Sequence, residues 1–276
     1  MDREEVEVLA ERTPRMEEIA GHPTVEVGDG EKSLVVIPGL SDTFRKATGS
    51  KLTEVLLERY YYRGFTDDYT VLVVSRPPLE GDVTTRDMAH GYAEVLEEVG
   101  ESDVLGLSIG GMVAQYIGAE HGENVRRLVI GAAGYRLGEE GKGIVEGWRD
   151  DAEAGDWGEV YIDAIEATYS NKYRQKVYGA VARLPVEMFE PSSEEFVASC
   201  EACLEHDAGN VLDDIEERTL VIGGSNDPLF PDEIIEETAR RIPKGELHVI
   251  EDAGHGAFEE RKKEFDKEVG RFLRED

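Results

Sequence analysis

One stretch constrains the fold of this chain more than any other: Val104-Leu105-Gly106-Leu107-Ser108-Ile109-Gly110-Gly111-Met112. It opens as a short apolar run, which reads as a buried strand. It turns sharply at Gly106–Gly110 and continues through Met112–Ala119 with helical periodicity. So tight a strand-to-helix turn pushes its central side chain into the open. It also brings neighbouring backbone close, so small residues are required two places before and two places after the centre. Gly106, Ser108 and Gly110 meet that demand, as the pattern G-x-S-x-G.

The rest of the sequence alternates around this turn. Thr24–Val27 alternates apolar and polar residues, a strand signal, and Gly28-Asp29-Gly30 reads as a hairpin turn. No helix follows it, so it is not a dinucleotide loop. Ser33–Ile37 is an apolar run ending in Pro38-Gly39-Leu40-Ser41, at the strand edge where open α/β sheets place their ligands. A helix is expected over Lys51–Arg63, a strand over Thr70–Ser75 broken by Arg76-Pro77-Pro78, and a helix from Thr84 to about Val99. Strands follow at Val125–Ala132, Thr219–Gly224 and Glu246–Ile250, with helices at Glu233–Arg241 and Phe258–Leu273. Strands alternating with helices imply a mostly parallel sheet with helices on both faces.

From about Tyr135 to Asn210 the pattern changes. No convincing strand occurs, and helices are expected at Lys142–Ala154, Gly158–Tyr169, Lys172–Leu184 and Glu194–Asp207, the last opened by the capping pattern Ser192-x-x-Glu195. The expectation is a core of residues 1–134 and 211–276, with residues 135–210 inserted as an all-helical lid over the carboxyl edge of the sheet. Trp148, Trp157, Tyr161, Tyr169, Phe189 and Phe196 either face a substrate there or pack the lid onto itself. Residues 1–20 read as a polar, acidic helix or frayed arm.

Composition limits the partners. The formal net charge is −31, spread along the whole chain, and only 10 of the 30 basic residues are lysine. So much charge repels itself at low salt, whereas in molar salt the Debye length shrinks to about 3 Å. We read this as adaptation to a salt-rich cytoplasm. The charge argues against nucleic acid, which needs basic patches. No apolar run approaches the roughly 20 residues of a membrane span. The acidic start Met1-Asp2-Arg3-Glu4-Glu5 lacks the apolar region of a signal peptide, so a cytoplasmic location is expected. Cys200 and Cys203 do not make a disulfide framework. On one regular helix Cys200, Cys203 and His206 spread over about 120° and do not converge on an ion. They read as structural, and no cofactor or metal is expected.

Around Ser108 the chain resembles the α/β-hydrolase family, whose nucleophile elbow has this strand–turn–helix form. The likeness extends to Gly223-Gly224-Ser225-Asn226-Asp227-Pro228-Leu229-Phe230-Pro231 and Asp252-Ala253-Gly254-His255, which look like the family's acid and histidine segments. It covers most of residues 24–134 and 211–273; the lid matches only in position and helicity. The resemblance implies Ser108 as nucleophile, His255 as its base and Asp227 as the group orienting the imidazole. It also implies an oxyanion hole from the backbone N–H groups of Leu40 and Ile109. Where the family often has His-Gly before the first of these donors, this chain has Pro38-Gly39. Asp232, at a helix start, suits a first-turn role, and Asp252 lies too near His255 in sequence to be the first choice. His22, His90, His121, His206 and His248 read as surface or structural residues. The expected activity is hydrolysis of a carboxylic ester or thioester of a small acyl substrate through an acyl-enzyme. Acyl transfer by the same triad and ligand sensing with little turnover are the alternatives.

Overall fold

The computed structural model describes residues 15–43, 60–79, 81–172, 174–176 and 193–275. Among them lie β1 (Arg15–Ile19), β2 (His22–Val27), β3 (Lys32–Ile37), β4 (Tyr69–Val74), β5 (Ser102–Leu107), β6 (Val125–Gly131), β7 (Arg218–Gly224) and β8 (Gly245–Ile250). They form a single sheet in the order β1-β2-β4-β3-β5-β6-β7-β8. β1 and β2 are antiparallel, as are β2 and β4; every other neighbouring pair is parallel.

The apolar runs are explained by burial on both faces. Leu34 and Val36 of β3 and Val71 and Val73 of β4 enter one core. Val35 and Ile37, with Leu72 and Val74, enter the other. This period of two is the pleat of the strand. The second core is closed by α1 (Thr85–Val99), α2 (Ile109–Glu120) and α6 (Asp232–Arg241), through Tyr92, Met112, Val113, Ile234 and Ile235. The first is closed by α8 (Lys262–Arg274), which follows the short α7 (Ala257–Glu260) and buries Phe265, Val269, Phe272 and Leu273.

Between β6 and β7 come α3 (Glu139–Ala154), α4 (Trp157–Thr168) and α5 (Ser193–Glu205), with no strand among the described residues. Trp148, Trp157 and Phe196 are buried, and the rings of Trp157 and Phe196 meet edge-on at 5.4 Å. These three aromatics pack within the protein rather than line an open surface. Residues 51–59 of the expected helix Lys51–Arg63, most of Lys172–Leu184, the capping Ser192 and Phe189 lie outside the described residues.

Two expectations are corrected. Residues 15–19 form an edge strand, not a helix or frayed arm: they pair antiparallel with β2 across Ala20-Gly21, both at positive φ. A tight turn at a polar edge overrides the helical reading of a charged segment. Gly28-Asp29-Gly30 is not a hairpin either, because β2 and β3 do not pair. They flank β4 on opposite sides, and the loop crosses the start of β4. A Cβ added at Gly30 would lie 2.1 Å from the Tyr69 nitrogen, so the glycine is demanded by that crossing.

Candidate active site

Ser108 sits at the junction of β5 and α2 with φ 55° and ψ −121°, a conformation that costs a non-glycine residue of order 1–3 kcal/mol. The turn is fixed by hydrogen bonds from Ser108 N to Gly131 O at 2.9 Å and from Gly111 N and Met112 N to Ser108 O. The flanking glycines have a packing reason. A Cβ at Gly106 would meet Gly110 O at 2.2 Å, and one at Gly110 would meet Ile37 O at 2.1 Å.

Three chain-distant residues meet at this point. Ser108 Oγ lies 2.9 Å from His255 Nε2. His255 Nδ1 lies 2.9 Å from Asp227 Oδ2. A carboxylate only accepts, so Nδ1 carries the proton and Nε2 faces the serine hydroxyl as an acceptor. The second oxygen of Asp227 accepts from the backbone N–H of Leu229 at 2.8 Å and of Phe230 at 3.2 Å. Asp227 and His255 are 5% and 8% exposed, so the pair is shielded while the serine stays half-buried. Asp232, the rival carboxylate, begins α6. Asp252 occupies a turn with φ 56° and is exposed.

Leu40 opens a short helical turn, Leu40–Thr43. The loop before it abuts the nucleophile: a Cβ on Gly39 would stand 3.3 Å from Ser108 Cβ. Ile109 is the first residue of α2. The amides of Leu40 and Ile109 donate to no other described residue, and such first-turn N–H groups suit a developing negative charge.

Sequence reasoning missed the supports. Arg76, 4% exposed, sends one guanidinium nitrogen to Pro38 O at 3.1 Å and the other to Gly39 O at 3.0 Å. Asp42, also buried, accepts Ser75 Oγ at 2.7 Å and Arg76 N at 2.9 Å. This arginine and this aspartate therefore clamp the loop that ends at the Leu40 amide. The ring of Phe230 stacks on that of His255, centroids 5.8 Å apart. The backbone of the histidine loop is held from the helical segment: His255 N donates to Ala167 O at 3.1 Å and Gly256 N to Thr168 O at 2.8 Å. Glu260 accepts from the amides of Gly254, Ser170 and Asn171 and from the Ser170 hydroxyl. Burial opposes its charge, but these donors prevail and hold the carboxyl below its usual range. The only sequence signal for any of this is an arginine and an aspartate beside strand ends, which is weak.

Cys200 and Cys203 are buried. Burial pushes the Cys203 thiol up to about 12 and the Cys200 thiol well above its ordinary value, so neither is a ready thiolate. His206 follows α5 and places Nδ1 2.8 Å from Thr85 Oγ1, and burial pushes its imidazole down to about 3. None of the three approaches the serine by any described contact.

The sequence matches the profile of the alpha/beta hydrolase family over residues 34–268. It is 24% identical over 256 residues to the serine hydrolase BPHL of Mus musculus, covering 90% of this chain and 81% of that protein. It is 26% identical over 168 residues to a pimeloyl-[acyl-carrier protein] methyl ester esterase of Neisseria meningitidis serogroup B. That match spans 57% of this chain and 63% of the esterase, under two thirds of its length. Among solved structures, MGS-M2, an alpha/beta hydrolase enzyme from a Medee basin deep-sea metagenome library, superposes with a TM-score of 0.79. It is 19% identical, and the superposition covers 95% of this chain and 98% of that one.

Proposed function

The chain belongs to the alpha/beta hydrolase family, and from that premise we propose that it is a serine hydrolase cleaving a carboxylic ester or thioester through an acyl-enzyme on Ser108. The observation that carries the reading is the unbroken hydrogen-bond line from Ser108 Oγ through His255 to Asp227. A neutral serine hydroxyl is a weak nucleophile; it needs a base within reach and a group to orient that base. His255 Nε2 takes the hydroxyl proton as Oγ attacks the acyl carbon. Asp227 holds the tautomer and stabilises the imidazolium. The amides of Leu40 and Ile109 receive the oxyanion of the tetrahedral intermediate. His255 passes its proton to the leaving alcohol or thiol, and the acyl group remains on Ser108. Water then attacks the acyl carbon as His255 takes its proton, and collapse of the second tetrahedral intermediate releases the acid as His255 returns that proton to Ser108 Oγ.

On this reading residues 135–210, which include α3, α4 and α5, are the lid that shapes the acyl site. The relatives support the hydrolase class: one is a serine hydrolase and one a methyl ester esterase. The test pairs a fluorophosphonate probe with p-nitrophenyl esters of graded chain length in molar KCl. We expect one covalent adduct, on Ser108, and ester turnover abolished by Ser108→Ala. A folded protein that takes no adduct at Ser108 and cleaves no ester of any chain length refutes the proposal.

A further inference from the structure

Three side chains that ester hydrolysis does not use meet at the far end of the helix that begins at Ser108. His90 lies on α1, Glu120 ends α2 and His121 caps it. One ligand atom from each lies within 4.8 Å of the others, and theirs is the one such histidine–carboxylate group of three among the described residues. The two imidazoles approach edge to face, with centroids 4.8 Å apart and planes at 71°.

The protonation pattern favours a cation. His90 Nδ1 lies 2.8 Å from the carbonyl oxygen of Arg86. That oxygen only accepts, so Nδ1 carries the hydrogen and Nε2 presents its lone pair. An outer hydrogen bond of this kind is how metal-ligating imidazoles are held in orientation. His121 Nε2 is shut off from solvent and has no hydrogen-bond partner among the described residues, an expensive arrangement for a polar nitrogen unless something coordinates it. Glu120 accepts from Arg86 Nε at 2.9 Å. The arginine side chain is 60% exposed, so it can swing into water and free the carboxylate without burying a charge. The carboxyl end of α2 adds the negative end of a helix dipole.

We propose that His90, Glu120 and His121 bind a divalent transition-metal ion of the zinc type, which clips α1 to the carboxyl end of α2. Two imidazoles and a carboxylate suit zinc, with water in the fourth position. They do not suit magnesium or calcium, which take oxygen ligands. The 12 residues of α2 put about 18 Å between this cluster and Ser108, so the ion takes no part in acyl chemistry. Its work is mechanical, to pin the helix that carries the nucleophile against its neighbour. Sequence reading passed over the group because His90 and His121 are far apart in the chain and only the packing of α1 on α2 unites them.

The experiment titrates Zn2+ and Co2+ into the full chain, stripped with a chelator, in a non-chelating nitrate medium. The readouts are calorimetry, the cobalt d–d absorption and the melting temperature. We expect one ion per chain and a melting temperature about 5 °C higher at 100-fold excess over the dissociation constant. His90→Ala and His121→Ala should each weaken binding at least about 100-fold, while His248→Ala leaves it unchanged. Arg86→Gln should tighten it by releasing Glu120. Absence of saturable binding overturns the proposal, and so does binding that survives both histidine variants, since that is diffuse attraction to an acidic surface. Ester turnover with and without chelator is expected to be equal; a metal requirement for turnover would overturn the mechanical role.

Discussion

One guanidinium nitrogen of Arg76 donates to the carbonyl oxygen of Gly39 at 3.0 Å, and this bond places a buried cation directly behind the loop that abuts Ser108. The other nitrogen holds Pro38 O. The planar fork of arginine fits two carbonyls at once; a lysine ammonium is a point donor and cannot reproduce it. Arg76→Lys is therefore expected to keep the fold but let the Leu40 amide drift. Loss of a single oxyanion donor costs about 10²–10³ in kcat, so a partial displacement should cost about 10-fold or more, with KM little changed. Steady-state kinetics on a p-nitrophenyl ester, beside a melting curve, check this. A fall in stability with kcat intact would show that Arg76 supports the fold and not the oxyanion loop.

Asp227→Asn keeps the shape of the acid but presents an amide to His255 Nδ1. The imidazole then favours the tautomer with its proton toward Ser108, and the base is lost. We expect kcat to fall by about 10⁴ with substrate binding retained. The amides of Leu229 and Phe230 still need an acceptor, so the side-chain oxygen should stay where Oδ1 is and turn the NH2 toward His255. A loss under 10-fold in the purified variant would mean that another carboxylate orients the imidazole.

His206 makes stability depend on pH. Its imidazole falls from an ordinary 6.5 to about 3 in the folded state because burial penalises its charge. Between those values the unfolded chain holds a proton that the folded chain does not, so stability falls as pH drops below about 6.5. Over the interval to pH 5 the loss from this group is about 2 kcal/mol. His22, lowered chiefly by burial, adds in the same direction. Denaturant unfolding at pH 7 and pH 5 measures the slope, and the difference between wild type and His206→Gln isolates this residue. Equal slopes in the two proteins would remove His206 as the cause.

The charge of −31 predicts that the fold needs salt. Raising KCl from 0.1 to 2 M shortens the Debye length from about 10 Å to under 3 Å, and the melting temperature should climb steeply across that range. Ion pairs alone would give the opposite trend, since salt weakens exposed pairs. A melting temperature flat or falling with KCl would rule out self-repulsion as the main electrostatic effect.

What could be read in the sequence follows from local chemistry. Gly106, Ser108 and Gly110 betray a turn because the steric demand is on the residues themselves. Asp227 and His255 could be singled out because each follows an apolar strand, and parallel strands deliver their ends to one edge. Arg76, Asp42 and Phe230 were missed because their roles exist only after loops from different strands have met. β1 was missed because its pairing depends on a two-residue turn in which Ala20 adopts positive φ, a conformation that alanine does not advertise in sequence.

The bonds from His255 N to Ala167 O and from Gly256 N to Thr168 O join the histidine loop to the end of α4. A helical segment between β6 and β7 is thereby coupled to the proposed base. A Cβ at Gly256 would stand 2.4 Å from Thr168 Cγ2 and 3.0 Å from Thr168 O. Gly256→Ala must therefore push Thr168 away and stretch both bonds. We expect kcat to fall by about 10-fold, as small misplacements of a catalytic group do, and cleavage by protease within residues 155–176 to quicken. Thr168→Ser removes the methyl that clashes. Adding it to Gly256→Ala should recover part of kcat, whereas Thr168→Ser alone should leave kcat near wild type. Non-additivity of that kind is the signature of two residues in contact. Strictly additive losses would show that the histidine loop keeps its geometry without help from α4.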